Sequence, residues 1–268
     1  MSMKKQADAA ARRVSGFSKG VLLFLCFALL FTACARETPG DADETSEEPL
    51  LTRVSCKTAY FSSDSLNPYF CTTSLNASLM PMVYAGLFSV QRDGTAEPDV
   101  AASYTESENE VKIVLPTTGV FSDGSAVTAN DVVYSFEKAK SSAVYAQQMS
   151  GIAEAKADSP LEVTFSFSDK LPDRLLLLTF PIVKNQTAET ADARPIGTGQ
   201  YRWTESEDET VLTLCAGESE SQIETVRLIP VSDSSNLMYT LQTGEIDFFV
   251  SDLFGGRLGR TGGQMGDI

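Results

Sequence analysis

Few residues in this sequence could carry out chemistry. The 268-residue chain has no histidine, which removes the most common general base and zinc ligand. Ser-His-Asp and Cys-His catalysis are therefore excluded. Asp123 and Asp131, eight residues apart, could form a catalytic carboxylate pair,. They fall at a turn and at a helix start, where carboxylates usually have structural roles. We predict no enzymatic activity and keep a carboxylate-dependent hydrolase as the weakest alternative.

Binding chemistry is also limited. The Gly197-Thr198-Gly199 stretch has the glycine content of a phosphate loop, but it lacks the lysine and the spacing of one,. A sharp backbone turn is the better interpretation. Cys56, Cys71 and Cys215 show no metal-like spacing,. Cys56 and Cys71 either form a local disulfide or are small buried thiols. We predict neither a metal nor a cofactor.

Charge narrows the range of partners. The formal net charge is −15, from 36 acidic and 21 basic residues. Binding nucleic acid through its phosphates requires clustered lysine and arginine. We therefore predict that nucleic acid is not a partner. A hydrophobic content of 43% is enough to build a core,.

The first residues have the pattern of an export signal. A basic leader precedes the apolar run Val21–Phe31, and small residues then lead to Cys34. The run is too short to span a bilayer, which takes about 20 residues. The pattern resembles a bacterial lipoprotein signal, which implies that residues 1–33 are removed and that Cys34 is lipidated. The alternatives are an ordinary signal peptide or a short membrane anchor. Residues 34–50 are acidic and almost without large apolar side chains, so we predict a disordered linker,.

The remaining chain alternates between strand and helix patterns, which favours an α/β fold with a mixed sheet. Residues 74–90 have helical spacing interrupted by Pro81, so they form either a kinked helix or two short pieces,. Asp93-Gly94 predicts a hairpin turn. Thr128 is a candidate N-cap, with Asp131 in the capping-box position. Strands are predicted over residues 51–62, 110–116, 161–169, three segments between 201 and 231, and 245–250. Further helices are predicted over residues 129–143, 172–178 and 235–243.

Several motifs in this order resemble the peptide/nickel-binding family of extracytoplasmic solute-binding proteins that serve ABC importers. PIGTGQY resembles the family's Gly-Thr-Gly-Pro-Tyr turn, with Gln200 in place of proline, and LQTGEID resembles its Gly-Glu-Ile-Asp segment. The upstream motifs are carried by Tyr84, Gly86 and Leu87, by Asp93, Gly94, Pro98 and Ala101, and by Phe121, Asp123, Gly124, Thr128, Ala129, Asp131, Val132 and Ser135.

The resemblance implies a periplasmic-binding-protein-like (type II) lobe over residues 51–254. Family members are usually much longer, and a second lobe would follow the Gly-Glu-Ile-Asp segment. Here residues 255–268 form a glycine-rich tail, which we expect to be disordered,. We therefore expect the second lobe to be largely missing.

The resemblance also implies a function. A lipid-anchored receptor would capture a peptide or similar small solute outside the membrane and deliver it to the permease subunits of an ABC importer. The alternative is a non-functional, frameshifted relic. In the family the ligand lies between lobes, so polar and aromatic residues near the cleft are the candidates. These are Asn67, Tyr69, Tyr84, Gly197, Thr198, Gly199 and Trp203, although Trp203 also fits core packing.

Overall fold

A computed structural model describes residues 55–204, 209–215 and 223–250 of the chain. The predictions for residues 1–33, Cys34, the linker 34–50 and the tail 255–268 lie outside these ranges. All described residues belong to one compact unit.

The first sheet is mixed, as the sequence predicts. Its strands are β1 (Ser55–Phe61), β8 (Tyr201–Thr204), β9 (Thr210–Leu214) and β10 (Thr225–Val231), in the order β1-β10-β9-β8. β1 and β10 are parallel, whereas the other neighbours are antiparallel. The segments that form this sheet therefore come from opposite ends of the described chain.

The middle of the chain supplies antiparallel strands. β2 (Phe88–Val90) and β3 (Ala96–Pro98) form the hairpin predicted at Asp93-Gly94, and Gly94 has a φ of 86° that favours glycine at this turn,. The second sheet has the order β4-β5-β7-β6. Its strands are β4 (Ser103–Glu106), β5 (Glu110–Val114), β6 (Ile152–Ser159) and β7 (Glu162–Phe167).

Short helices connect these strands. The predicted alternative of two pieces around Pro81 is confirmed as α1 (Ser74–Ala77) and α2 (Met80–Val83), because proline is tolerated in the first turn of a helix,. α3 (Ala129–Ser141) is followed by α4 (Ala146–Met149), and α5 (Ser235–Gln242) follows β10. Residues predicted as a helix over 172–178 form a 3₁₀ helix, Arg174–Leu178. Among the described residues, no helix is long and apolar enough to cross a bilayer.

The start of α3 matches its predicted capping box. The Asp131 carboxylate accepts hydrogen bonds from the backbone N–H of Thr128 at 2.8 Å and from its hydroxyl at 2.6 Å. The helix then buries Val132, Phe136 and Ala139. The Phe136 ring packs edge-to-face against Phe165 of β7, with 6.0 Å between centroids. α3 thereby joins the second sheet to the main hydrophobic core.

A smaller cluster lies beside the first sheet. Ala59 and Phe61 of β1 pack there with Val231 of β10 and Leu237 of α5. Ser234 is the N-cap residue of α5 but makes no side-chain cap bond, and the Asp233 carboxylate accepts instead from the Ser235 N–H at 2.8 Å,. Gly244, with a φ of 72°, follows the helix end,.

The predicted strand over 245–250 was wrong. Within the described residues, this segment makes one isolated parallel bridge, between Phe248 and Thr58. The Asp247 side chain is the reason. It accepts the Lys57 N–H at 2.8 Å, while the Asp247 N–H donates to the Lys57 carbonyl at 2.8 Å. The Lys57 N–H of β1 therefore donates to a side chain, whereas in a regular β-ladder it would donate to a backbone carbonyl.

Two strands were missed. β4 is exposed along its whole length and β6 is mostly polar. Apolar periodicity is the signal used to predict strands, and neither segment provides it.

Candidate functional site

Five of the seven predicted ligand-binding residues lie together around the Gly-Thr-Gly turn. The Gly197 carbonyl accepts the Ser122 N–H at 2.9 Å, and the Gly199 N–H donates to the Val83 carbonyl at 2.8 Å. The turn is thus fixed to the end of α2 on one side and to the Phe-Ser-Asp-Gly turn on the other. We call this region the Gly-Thr-Gly site.

The two glycines are required by close packing. A Cβ at Gly197 would lie 2.1 Å from the Val83 carbonyl oxygen, and one at Gly199 would lie 2.4 Å from the Val83 carbonyl carbon. Between them, the Thr198 hydroxyl oxygen is buried and has no hydrogen-bond partner among the described residues. The turn therefore brings the chain against the backbone of α2 and leaves one polar atom with unused bonding capacity.

Tyr84 and Trp203 form a hydrogen-bonded pair next to the turn. The Trp203 indole N–H donates to the Tyr84 hydroxyl at 2.9 Å, and that hydroxyl donates to the Pro195 carbonyl at 3.2 Å. Tyr84 is only 4% exposed, and burial raises the pKa of its hydroxyl, so it stays protonated,. Tyr84 thus fixes the orientation of the partly exposed Trp203 ring.

A cavity of about 470 Å³ opens beside Trp203. This volume lies within the range of about 300–1,000 Å³ typical of small-molecule sites. Its wall combines aromatic, apolar, hydroxyl and charged groups. The lining residues are Ser122, Asp123, Arg194, Pro195, Ile196, Arg202, Trp203 and Thr204.

Two arginines of this cavity were missed by sequence reasoning. The Arg194 guanidinium lies over the Trp203 ring, 5.6 Å from its centroid, and donates to the Thr210 hydroxyl at 3.2 Å. Arg202 precedes Trp203 on β8. The sequence does contain a signal for these two arginines. Basic residues flank the Gly-Thr-Gly turn on both sides in a chain dominated by acidic residues,.

Asp123 contributes the cavity's carboxylate, and that carboxylate is already engaged. It accepts from the Ser125 N–H at 2.9 Å and pairs with the Lys184 ammonium at 2.5 Å. The hydrogen bonds from Lys184 and then Ser125 lower its pKa to about 2. Asp131, the other member of the predicted pair, is buried and bonded to Thr128 and to the Asn185 N–H at 2.9 Å. Both carboxylates are therefore engaged by the protein itself.

Asn67 and Tyr69 lie apart from the Gly-Thr-Gly site, in the loop after β1. Asn67 is 0% exposed, and its amide donates to the Thr190 carbonyl at 2.9 Å and accepts from the Tyr69 N–H at 3.2 Å. The Tyr69 hydroxyl donates to the Pro181 carbonyl at 2.5 Å, and burial raises its pKa. A ligand could reach the Asn67 side chain only if the loop moved.

A second cavity borders this loop. Its volume is also about 470 Å³, and Tyr69, Phe70, Lys138, Ser142 and Val144 contribute to its lining. Lys138 is paired with Glu189 at 2.5 Å, and the Ser142 hydroxyl donates to the Tyr69 carbonyl. The charged and hydroxyl groups named here are therefore bonded to the protein itself. Across the described ranges, no group of three or more histidine, cysteine, aspartate or glutamate residues could hold a metal ion.

Comparison with known proteins identifies the class. The model of the family described as bacterial extracellular solute-binding proteins, family 5 Middle, matches residues 95–255. This is more than half of the chain, so the protein belongs to this family. The family resemblance predicted from the motifs is therefore confirmed.

Solved structures of such proteins share the fold. MoaA from A. tumefaciens R10, in complex with mannopinic acid, matches with a TM-score of 0.62 at 21% identity, over 73% of this chain and 44% of that one. NikA from Staphylococcus aureus, in complex with Ni(L-His)₂, gives a TM-score of 0.59 at 18% identity, over 72% and 42%. AppA from Bacillus subtilis, in complex with a nonapeptide, gives 0.57 at 18%, over 72% and 43%.

These matches confirm the predicted α/β, type II periplasmic-binding-protein-like fold with a mixed sheet. The chain spans less than half the length of the three solved structures. A search of curated proteins gave no match.

Proposed function

We propose that this chain is a solute-binding protein of an ABC importer that captures peptides or similar small solutes outside the membrane. The observation that carries the proposal is the Gly-Thr-Gly site within a lobe of this family. Its cavity of about 470 Å³ combines an oriented tryptophan with two arginines. The family is described as extracellular and solute-binding, and the similar structures hold mannopinic acid, Ni(L-His)₂ and a nonapeptide.

The mechanism we propose is binding without chemistry. The solute would contact Trp203 and the polar wall of the cavity, and a second lobe would close over it about a hinge. Tyr84, Gly197, Thr198 and Gly199 would position the wall. Asn67 and Tyr69 would hold the loop after β1 in place. Both carboxylates of the Asp123–Asp131 pair are bonded to the protein, which further weakens the hydrolase alternative.

Calorimetry tests the proposal. The full chain, purified in a non-ionic detergent, would be titrated with pools of short peptides. We expect saturable binding with a Kd in the micromolar range, about 1–100 μM. Cooperative thermal unfolding that shifts upward with ligand should accompany it, because ligand binding to the folded state stabilises that state. Absence of binding by a cooperatively folded chain would contradict the proposal.

We further propose that the chain is lipid-anchored through Cys34 and that its partners are the permease subunits of the importer. The leader pattern of residues 1–33 supports the anchor. A Cys34→Ala variant should leave the membrane fraction and appear in the surrounding fluid. A variant that stays in the membrane fraction would refute lipidation. Permease contact would be tested by crosslinking in membranes that contain the importer.

The relic alternative stays a prediction with a simple test. The DNA past the codon for Gly255 would be translated in its other two frames. A sequence resembling a second lobe of the family in either frame would support a frameshift, and its absence from both frames would refute the frameshift.

A further inference from the structure

The cavity at the Gly-Thr-Gly site has an excess of positive charge in an acidic protein. The chain has 36 acidic and 21 basic residues. Among the described residues, lysines and arginines such as Lys112, Lys138 and Arg174 pair with carboxylates. Arg194 and Arg202 form no such ion pair within the described ranges, and both line the same cavity.

Arg194 is held in place without a carboxylate. Its guanidinium donates to the Thr210 hydroxyl and stacks over Trp203. Thr210 is 8% exposed, so the accepting hydroxyl belongs to a buried residue, whereas Arg194 itself is exposed. A guanidinium has five N–H donors, and the contact with Thr210 uses one nitrogen. The group is therefore oriented in advance and keeps donors for a ligand, which reduces the entropy lost on binding.

The one carboxylate of the cavity does not cancel this charge. Asp123 is paired with Lys184 at 2.5 Å and bonded to Ser125. Lys184 lies outside the cavity lining and neutralises Asp123. Among the described residues that line the cavity, the two arginines are therefore the charged groups without a carboxylate partner, and they favour an anion there,.

From these contacts we infer that the cavity binds the carboxylate group of a small organic acid, with Arg194 and Arg202 as its charged partners. A guanidinium matches a carboxylate in a two-pronged geometry. The apolar wall formed by Pro195, Ile196 and Trp203 fits an organic body rather than a bare inorganic anion,. This inference deepens the proposed function and rests on it, because it names the chemical class of solute that the site takes.

Trp203 is the chain's single tryptophan, so its fluorescence reports on this cavity alone. The full chain would be titrated with N-acetylphenylalanine, with its neutral amide and with phenyl phosphate. Excitation at the red edge of indole absorption avoids the phenyl rings. We expect a saturable change with the acid, at a Kd on the order of 1 mM for so small a probe, and an affinity for the amide that is lower by about tenfold or more.

Two variants and one control locate the effect. Arg194→Gln and Arg202→Gln should each lower affinity for the acid by about tenfold. Arg202 makes no hydrogen bond or ion pair with its side chain among the described residues, so Arg202→Gln should fold normally. Arg92→Gln, at the exposed β2–β3 turn, is the matched control and should leave the affinity unchanged. Melting curves would verify that all three variants are folded.

Three outcomes would overturn the inference. These are equal responses to the acid and the amide, an affinity unchanged in both arginine variants, and tighter binding of phenyl phosphate, which would indicate a phosphate site. The same experiments distinguish failure of the carboxylate inference from failure of the proposed function. If calorimetry detects peptides and both arginine variants bind them normally, solute binding stands and the carboxylate inference fails. If no peptide binds but the acid still gives an arginine-dependent response, the carboxylate inference stands and peptides are removed from the proposed solutes.

Discussion

The Gly-Thr-Gly site and the Asn67 loop contain similar residue types but differ in what they leave available. Both combine a tyrosine with polar groups in a loop. In the Asn67 loop, the amide of Asn67 and the hydroxyl of Tyr69 are bonded to backbone carbonyls inside the protein. At the Gly-Thr-Gly site, Tyr84 is bonded internally in the same way, but Arg194 and Arg202, which line its cavity, have no carboxylate partner among the described residues. Unused bonding capacity, rather than residue type, distinguishes a candidate binding site from a scaffold.

The largest expected effect on stability comes from a substitution in the Gly-Thr-Gly turn. Gly197→Ala would place a methyl group 2.1 Å from the Val83 carbonyl oxygen, a contact with rigid backbone. We expect a loss of at least about 3 kcal/mol in the free energy of unfolding, or failure to fold. Urea unfolding measures it.

Gly94→Ala is the matched control for that substitution. Gly94 has a φ of 86° with nothing within 4 Å of the added Cβ. Strain without a clash should cost about 1–2 kcal/mol. Equal costs at the two glycines would show that close packing does not explain Gly197.

Asn67→Ala tests the scaffold side of the comparison. Removing the buried amide leaves the Tyr69 N–H without its acceptor and takes one of two donors from the Thr190 carbonyl, which keeps the Ala193 N–H at 3.1 Å. We expect stability to fall by about 2 kcal/mol while the affinity for N-acetylphenylalanine stays unchanged. Urea unfolding and Trp203 titration measure the two quantities. If the variant kept normal stability but lost affinity for N-acetylphenylalanine, Asn67 would be a binding residue rather than a scaffold residue.

Tyr84→Phe tests whether the Tyr84 hydroxyl orients the Trp203 ring. The variant removes the acceptor of the Trp203 indole N–H and the donor to the Pro195 carbonyl. We expect a loss of about 1–2 kcal/mol in stability and a shift in Trp203 emission in the absence of ligand. Tyr239→Phe, at a position 63% exposed, should change neither. An unshifted emission in Tyr84→Phe would mean that Tyr84 does not orient the ring.

The smallest effect concerns acid stability. The pKa of Asp123 is lowered from 3.8 to about 2 by Lys184 and Ser125. A carboxyl with a depressed folded-state pKa stabilises the protein fully above its unfolded pKa, and this stabilisation is lost as pH falls from about 4 to 2. Because Asp123 is largely exposed, we expect less than about 1 kcal/mol. The unfolding free energies of wild type and Asp123→Asn should converge over this pH window, and a constant difference would contradict the assignment.

Much of the fold was predictable because its signals are local. Gly94 marks a hairpin turn, Thr128 and Asp131 form a capping box, and Pro81 lies in the first turn of the second of two short helices. The strand over 245–250 was predicted wrongly because its apolar pattern does not show that Asp247 would occupy the edge of β1, a contact between residues 190 positions apart.

The site was predicted only in part, because some of its contacts join residues that are far apart in the sequence. The Gly-Thr-Gly turn is visible as a motif, whereas the stacking of Arg194 on Trp203 and the support from Tyr84 depend on tertiary packing. The internal bonding of Asn67 depends on Thr190, which a linear pattern cannot associate with it.

The central claim is that a solute binds beside Trp203. The most direct test is the ¹⁹F NMR spectrum of the full chain labelled with 5-fluorotryptophan, which contains a single signal because the chain has one tryptophan. A solute that calorimetry shows to bind should shift or broaden this signal in wild type and in Asn67→Ala. An unchanged signal under saturating solute would place the binding site elsewhere and contradict the account.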